Sequence, residues 1–375
     1  MNTGTLEVPQ TLRSSSTSDA PPTADALPTV LRSLALVIVV TWHGALSTLR
    51  WDSHGPHAGN ALHLVPGGFL LTWFLQVMPL FFLVGGAVSL GSLRRNSERG
   101  GSSQQWAVAR VRKLVIPALP LVAAGALVAG FASPATAGLM KLALSPLWFL
   151  GVYVPITILA PTLYRLHARF GNRAVLGLVS ATGVLQVFRL IGFDNRLLWA
   201  SALLCTWSCA FLGGFHLDEL RRNRLTAARL CFAGLLVMGM GAAFGLPASM
   251  VAVRSESISS MGDVTVSLLG LIAFQAGLVG LFGDHLVRIA SRPSISRLVR
   301  FVDLHQAAIY VGHLPLWVLM AWMLRSTPFA AGEVADLRWL ALRPVWFLIT
   351  IGCGIFAARL RSPILLRRAC KNHVL

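Results

Sequence analysis

Two residues that are unusual in an apolar helix stand in the first long hydrophobic stretch of the chain, "LRSLALVIVVTWHGAL" at 31–46. Arg32 lies near its start and His43 follows eleven residues later. On a helix this spacing puts the two side chains about 16 Å apart on nearly the same face. A neutral imidazole suits a general base. The pair predicts the two ends of one channel; the alternatives are a membrane anchor for Arg32 and an interfacial position beside Trp42 for His43.

Two further stretches contain aromatic and basic candidates. In "MPLFFLVGG", Phe81 and Phe82 give a helix one bulky face, and the two glycines that follow are typical of close helix packing. In "ARVRKLVIP", Arg110 and Lys113 belong to a cluster of cations at the start of an apolar run. Such a cluster can hold phosphates, mark a cytoplasmic loop or contact anionic lipid.

Polar and aromatic groups recur in later apolar segments. Trp148 in "SPLWFL" is either a channel residue or part of an interfacial aromatic belt. The stretch "HQAAIYVGHLPL" places His305, Tyr310 and His313 within or near one apolar segment. Because polar groups in a membrane need partners or water, these residues are candidates for an acceptor site or a channel wall.

A loop near residues 51–63, "WDSHGPHAGNALH", contains metal-ligand types. Asp52, His54, His57 and His63 are permissive for zinc. The proline and glycines predict an irregular, solvated loop, and we expect no metal site.

Composition indicates the elements that carry these residues. The chain has 375 residues, of which 55% are hydrophobic and 12% charged, with a mean hydropathy of +0.68. Soluble proteins have about a quarter of their residues charged. Apolar runs recur along the whole length, which predicts a polytopic membrane protein in contact with a lipid bilayer. The net charge of +18 is distributed in short clusters between these runs, so we exclude nucleic-acid binding.

We predict an all-α fold with about ten transmembrane helices. The expected spans, read from apolar runs of about 20 residues, are 29–49, 68–91, 114–132, 145–164, 174–192, 197–217, 226–246, 263–283, 301–325 and 339–359.

Basic residues predict the orientation of these spans. One alternating set of loops and flanks carries 24 of the 32 Lys and Arg residues and the other set carries 8. The richer set includes both termini, which places them in the cytoplasm. We therefore expect a disordered cytoplasmic tail at 1–28, a transmembrane domain at 29–359 and a basic cytoplasmic tail at 360–375.

These stretches, taken in order, resemble the acyltransferase 3 family of integral membrane acyltransferases. Arg32 and His43 match its R-x10-H pattern, "PLFFLVGG" its P-x-F-F-x-x-S-G segment, and "ARVRKLVIP" the basic start of its third helix. "LWFL" and "IYVGHLPL" are similar to its W-F-L and Y-x-x-H-x-P signatures. Gly85 stands in place of the family serine and Lys113 in place of a common second arginine.

The resemblance implies acyl transfer from cytoplasmic acyl-coenzyme A, with acetyl as the expected group and no tightly bound cofactor. The acceptor would be a hydroxyl of a glycan, lipid or small metabolite, and the location the plasma (inner) membrane of a bacterial cell envelope. Arg32, Arg110 and Lys113 would bind the donor and His43 would be the base. Phe81, Phe82, Trp148, Tyr310 and His313 would line the channel or acceptor site.

Two other classes of function fit the same composition. A transporter or flippase for a small metabolite or lipid-linked sugar would also use a helix with an internal histidine. A purely structural membrane protein would tolerate loss of His43. A proton-coupled pump usually has a carboxylate in the middle of the membrane. Here the acidic residues, such as Asp194 and Asp303, fall almost wholly at predicted helix ends, which disfavours a pump.

Overall fold

The computed structural model describes residues 26–52, 55–64, 66–131, 134–193, 195–251, 259–327, 329–330 and 337–371. The predicted N-terminal tail lies outside this part of the chain, apart from its last few residues, which begin the first helix. The helices are α1 Ala26–Leu46, α2 Phe69–Leu75, α3 Met78–Glu98, α4 Ser103–Val115, α5 Leu119–Phe131, α6 Pro134–Leu144, α7 Trp148–Phe170, α8 Asn172–Leu190, α9 Arg196–Gly213, α10 Leu217–Arg222, α11 Arg224–Ala243, α12 Val266–Ala290, α13 Pro293–Met323 and α14 Leu337–Lys371.

The expectation of an all-α membrane protein is confirmed. Within the described residues, nine continuous or nearly continuous helices are long and apolar enough to cross a membrane, and α14 contributes a shorter apolar helix, Ala341–Ala357. Each predicted span has a counterpart among these ten. The assignment of the termini to the cytoplasm stays a prediction.

Helix boundaries extend beyond several predicted spans. The third span begins with α4 at Ser103 and continues through a short 3-10 turn into α5, whereas hydropathy placed its start at 114. The polar first turns of α4 are helical because the Ser102 hydroxyl caps them, accepting from the Gln105 N–H at 3.4 Å. Hydropathy detects the apolar part of a helix and misses such polar extensions.

The second predicted span is broken. α2 ends at Leu75 and α3 begins at Met78, with Pro79 in its first turn, where the missing N–H costs no helical hydrogen bond. The Gln76 side chain accepts from the Met78 N–H at 3.3 Å, and Gln275 of α12 donates to the Gln76 carbonyl at 2.7 Å. The break between α2 and α3 is therefore stabilised by one hydrogen bond within the chain segment and by one from α12.

The loop after α1 is a hairpin, so the prediction of an irregular loop is wrong. Strands β1 (Ser47–Asp52) and β2 (Gly55–Asn60) pair antiparallel, from Ser47 opposite Asn60 to Asp52 opposite Gly55. Gly55 has a φ of +110°, which only glycine adopts readily, and this allows the chain to reverse.

The hairpin carries the candidate metal ligands of the sequence. His57 is exposed on β2, while His54 and the side chains of Asp52 and His63 lie outside the described part of the structure. Among the described residues, no three His, Cys, Asp or Glu side chains come together as a metal would require.

An aromatic core joins α3, α7 and α9. Phe82 and Trp207 are fully buried and stack with ring centroids 4.4 Å apart. Phe149 packs against Phe82 at 5.2 Å and Phe211 lies fully buried beside them. At this contact Gly86 of α3 lies directly against the backbone of Phe211. The core therefore fixes α3 and α7, which contribute to the cavities described next.

Candidate functional site

Two of the cavities between the described helices contain predicted site residues, and one side chain borders both. The first, the Arg32 cavity, has a volume of about 330 Å³ and contains Arg32, Arg110 and Lys113 in its wall. The second, the His43 cavity, has a volume of about 220 Å³ and is lined by His43 and Trp148 among others. Tyr310 contributes to the walls of both. The eleven positions between Arg32 and His43 on α1 therefore place Arg32 in one cavity wall and His43 in the other.

Arg32 is held by an ion pair across the helix bundle. Its guanidinium donates to an Asp303 carboxylate oxygen on α13 at 3.1 Å and to the Thr29 hydroxyl at 3.4 Å. Its Nε–H is buried and makes no hydrogen bond to protein. An unmet buried donor of this kind is costly to the fold.

Arg110 and Lys113 bring two more cations to the same cavity from α4. The Arg110 guanidinium lies 5.5 Å from the Trp106 ring centroid, and the Trp106 indole N–H donates to the Ser92 hydroxyl at 2.8 Å. The hydrogen bond to Ser92 fixes the Trp106 ring, which makes a cation–π contact with Arg110. Lys113 is exposed. The cavity combines this positive charge with apolar walls such as Phe81 and Leu36.

His43 is paired with a second histidine in the membrane. Its Nδ1 lies 3.0 Å from Nε2 of His313 on α13, and the two ring planes differ by 21° with centroids 5.2 Å apart. His313 is fully buried, and its Nδ1 lies 3.0 Å from the Ile309 carbonyl oxygen and 2.9 Å from that of Tyr310. His43 reaches the cavity while His313 lies behind it.

The other predicted aromatic residues divide between the cavities and the core. Phe81 lines the Arg32 cavity and Trp148 the His43 cavity. The Tyr310 hydroxyl donates to the carbonyl of Pro146, a residue in the wall of the His43 cavity. Phe82 lies outside both walls, in the aromatic core.

Tyr153 of α7 is a cavity residue that the sequence did not single out. It lines the Arg32 cavity opposite Gly85, and its ring is stacked on Phe149 with centroids 5.0 Å apart. A Cβ added at Gly85 would lie 2.1 Å from the Tyr153 hydroxyl oxygen. The phenol hydroxyl therefore occupies the space that a side chain at position 85 would need, which gives the glycine at this position a structural reason.

Gly85→Ser is expected to destabilise the protein by about 1–3 kcal/mol, as overpacking does. Tyr153→Phe removes the closest atom, so the double variant Gly85→Ser/Tyr153→Phe should recover part of that loss. Thermal unfolding in detergent measures both, with Gly151→Ser as control because nothing lies within 4 Å of a Cβ there. If the two substitutions change the free energy of unfolding additively, position 85 and the Tyr153 hydroxyl are not in contact.

Two further residues at the cavities, Asp303 and Gln76, were not predicted as site residues. Asp303 is separated from Arg32 by 271 positions in the chain, and no motif links them. Gln76 lines the His43 cavity at the break between α2 and α3. Its polarity beside Pro79 in an apolar run was the only local sign of the interruption.

Comparison with known proteins adds a family match that spans both cavities. The family model of acyltransferase 3, described as an acyltransferase domain, matches residues 28–364. No curated protein and no solved structure matches the chain. The matched range contains every residue named above in the walls of the two cavities.

Proposed function

Because the chain belongs to the acyltransferase 3 family, we propose that this membrane acyltransferase moves an acyl group from cytoplasmic acyl-coenzyme A to a hydroxyl. The expected group is acetyl, the expected acceptor a glycan, lipid or small metabolite, and the expected location the plasma membrane. The observation that supports this most is the pairing of a cationic cavity with a histidine cavity across Tyr310.

The Arg32 cavity takes the donor in this proposal. Coenzyme A carries several phosphates, which guanidinium and ammonium groups bind by charge-assisted hydrogen bonds. Arg110 and the exposed Lys113 would meet these phosphates, and Arg32 would contribute a third positive charge to the cavity wall. A volume of about 330 Å³ suits the narrow acyl-bearing arm, while the nucleotide end stays outside.

The His43 cavity takes the acceptor. His43 Nε2 accepts the hydroxyl proton as the acceptor oxygen attacks the thioester carbon, forming a C–O bond and a tetrahedral oxyanion. Collapse of that intermediate breaks the C–S bond, and the imidazolium returns the proton to the departing sulfur. To reach His43, the thioester would pass Tyr310, the residue that the two cavity walls share.

Charge reversal in the Arg32 cavity tests the donor site without knowledge of the acceptor. Arg110→Glu is expected to raise the dissociation constant for coenzyme A by at least about tenfold, because a charge-assisted hydrogen bond contributes roughly 1.5–3 kcal/mol. Binding to the purified protein in nanodiscs is measured by calorimetry. The matched control is Arg229→Glu, since Arg229 is an exposed arginine of α11 outside both cavity walls. Equal affinities for the Arg110 variant and the wild type would contradict the donor site.

A further inference from the structure

The pairing of His43 with His313 carries an inference that rests on the proposed role of His43 as base. His313 lines neither cavity and is fully buried, so it meets no substrate directly. Both of its ring nitrogens are nevertheless engaged, one by His43 and the other by two backbone carbonyls of its own helix.

The backbone carbonyls determine where the protons are. A carbonyl oxygen only accepts hydrogen bonds, so the Nδ1 of His313 that faces Ile309 and Tyr310 must carry the hydrogen. In a neutral ring its Nε2 then has a free lone pair and accepts. The His43 nitrogen 3.0 Å away, Nδ1, must therefore be the donor. A neutral His43 with hydrogen on Nδ1 has a bare Nε2, which is the nitrogen that a base uses.

The same chain of bonds also favours the charged state that His43 reaches during transfer. When Nε2 of His43 takes a proton, the His43 imidazolium donates through its Nδ1 to Nε2 of His313. The Nδ1–H of His313 in turn points at the two backbone carbonyl oxygens of its own helix. Bonds of this kind polarise one another and strengthen when the donor is charged. If His313 carried its hydrogen on Nε2 instead, His43 would have to accept at Nδ1 and would present an N–H to the acceptor hydroxyl.

We propose that His313 is a positioning residue, which fixes His43 in the tautomer with a free Nε2 and stabilises the imidazolium formed there. This role replaces the one that the family resemblance implies for His313, that of a channel or acceptor-site residue. In this proposal the unprotonated Nε2 of His43 is the nitrogen that meets the substrate. His313 only orients His43, and only His43 exchanges a proton with the substrate.

Nitrogen NMR of protein with isotope-labelled imidazole rings reads the tautomer directly. The spectrum is compared with that of His43→Ala to assign the His43 signals. The proposal expects a hydrogen on Nδ1 and a bare Nε2 in the wild-type protein. In His313→Phe, which keeps an aromatic ring but has no acceptor, this preference should be lost. A hydrogen on Nε2 of His43 in the wild type, or an unchanged tautomer in His313→Phe, would overturn the proposal.

Activity gives a second readout. His313→Phe is expected to lower acyl transfer about 10- to 100-fold, by analogy with the loss of a partner that orients a metal-binding histidine, with the donor KM unchanged. His313→Gln retains an acceptor and should recover part of the rate. His285→Phe is the control, because His285 is an exposed histidine of α12 outside both cavity walls.

The two readouts separate this inference from the proposed function. If the tautomer is as stated but His43→Ala transfers normally, His43 is not the base, while the pairing itself stands. If His43→Ala is inactive but His313→Phe retains full transfer, the general base stands and the positioning role of His313 is overturned. Should His313→Phe fail to fold, the wild-type spectrum and His313→Gln still decide between these outcomes.

Discussion

His43→Ala is expected to lower acyl transfer by about 10²- to 10⁴-fold, the contribution of a general base. The variant removes the ring that lines the second cavity and leaves His313 without its partner. The proposed donor site lies in the other cavity, so coenzyme A binding should not change. A fall in rate with unchanged donor affinity is the signature of an interaction used in the transition state.

This prediction is measured by mass spectrometry of acylated products in cells that contain equal amounts of each variant in their membranes. His285→Ala provides the control, because His285 is an exposed histidine of α12 outside both cavities. Wild-type product in the His43→Ala cells would remove His43 from the mechanism. Loss of coenzyme A binding in the same variant would instead indicate that the cavities are not separate in function.

Gly86→Ala is expected to cause a larger loss of stability than Gly85→Ser, although it adds fewer atoms. A Cβ at Gly86 would lie 1.8 Å from the Phe211 carbonyl oxygen, and one at Gly214 would lie 1.9 Å from the Leu83 carbonyl oxygen. Both neighbours are backbone atoms, so no rotamer change relieves the clash and α3 must separate from α9. We expect a loss at or above the upper end of the usual range of about 1–3 kcal/mol for overpacking.

Thermal unfolding followed by size-exclusion chromatography in detergent tests this expectation. Gly177→Ala on α8 is the matched control, because nothing lies within 4 Å of a Cβ there. In a helix that exchange of glycine for alanine is favourable by up to about 1 kcal/mol. If Gly86→Ala unfolds at the same temperature as the wild type, the close backbone contact between α3 and α9 is wrong.

The residues that the sequence could identify are those whose signal is local. Apolar runs located the nine described helices that are long and apolar enough to span a membrane and the shorter apolar helix in α14, since a spanning run must cover the hydrocarbon thickness by itself. Arg32 and His43 were recognisable because charge and a titratable ring stand out in an apolar helix, and helical periodicity placed them on one face. The adjacent glycines after Phe82 likewise indicated close packing, which the contact of Gly86 with Phe211 explains.

The features that escaped prediction are long-range pairings. Asp303 and His313 meet Arg32 and His43 only because α13 packs along α1, and no spacing within either helix reveals a partner some 270 positions away. The sequence also placed Phe82 in a channel, although its full burial against Trp207 makes it part of the core. An aromatic side chain in an apolar helix has the same appearance in a sequence whether it faces a cavity or a neighbour.

In the proposed function, one protein molecule takes an acyl group from coenzyme A and joins it to a hydroxyl with His43 as base. The most direct measurement uses proteoliposomes that contain the purified protein, radiolabelled acetyl-coenzyme A and an extract of cell-envelope glycans, lipids and metabolites. We predict that each coenzyme A thiol released is matched by one labelled acyl group on an acceptor hydroxyl, and that His43→Ala abolishes both. Passage of unmodified substrate across the membrane without release of coenzyme A, as a transporter or flippase would give, would contradict the account.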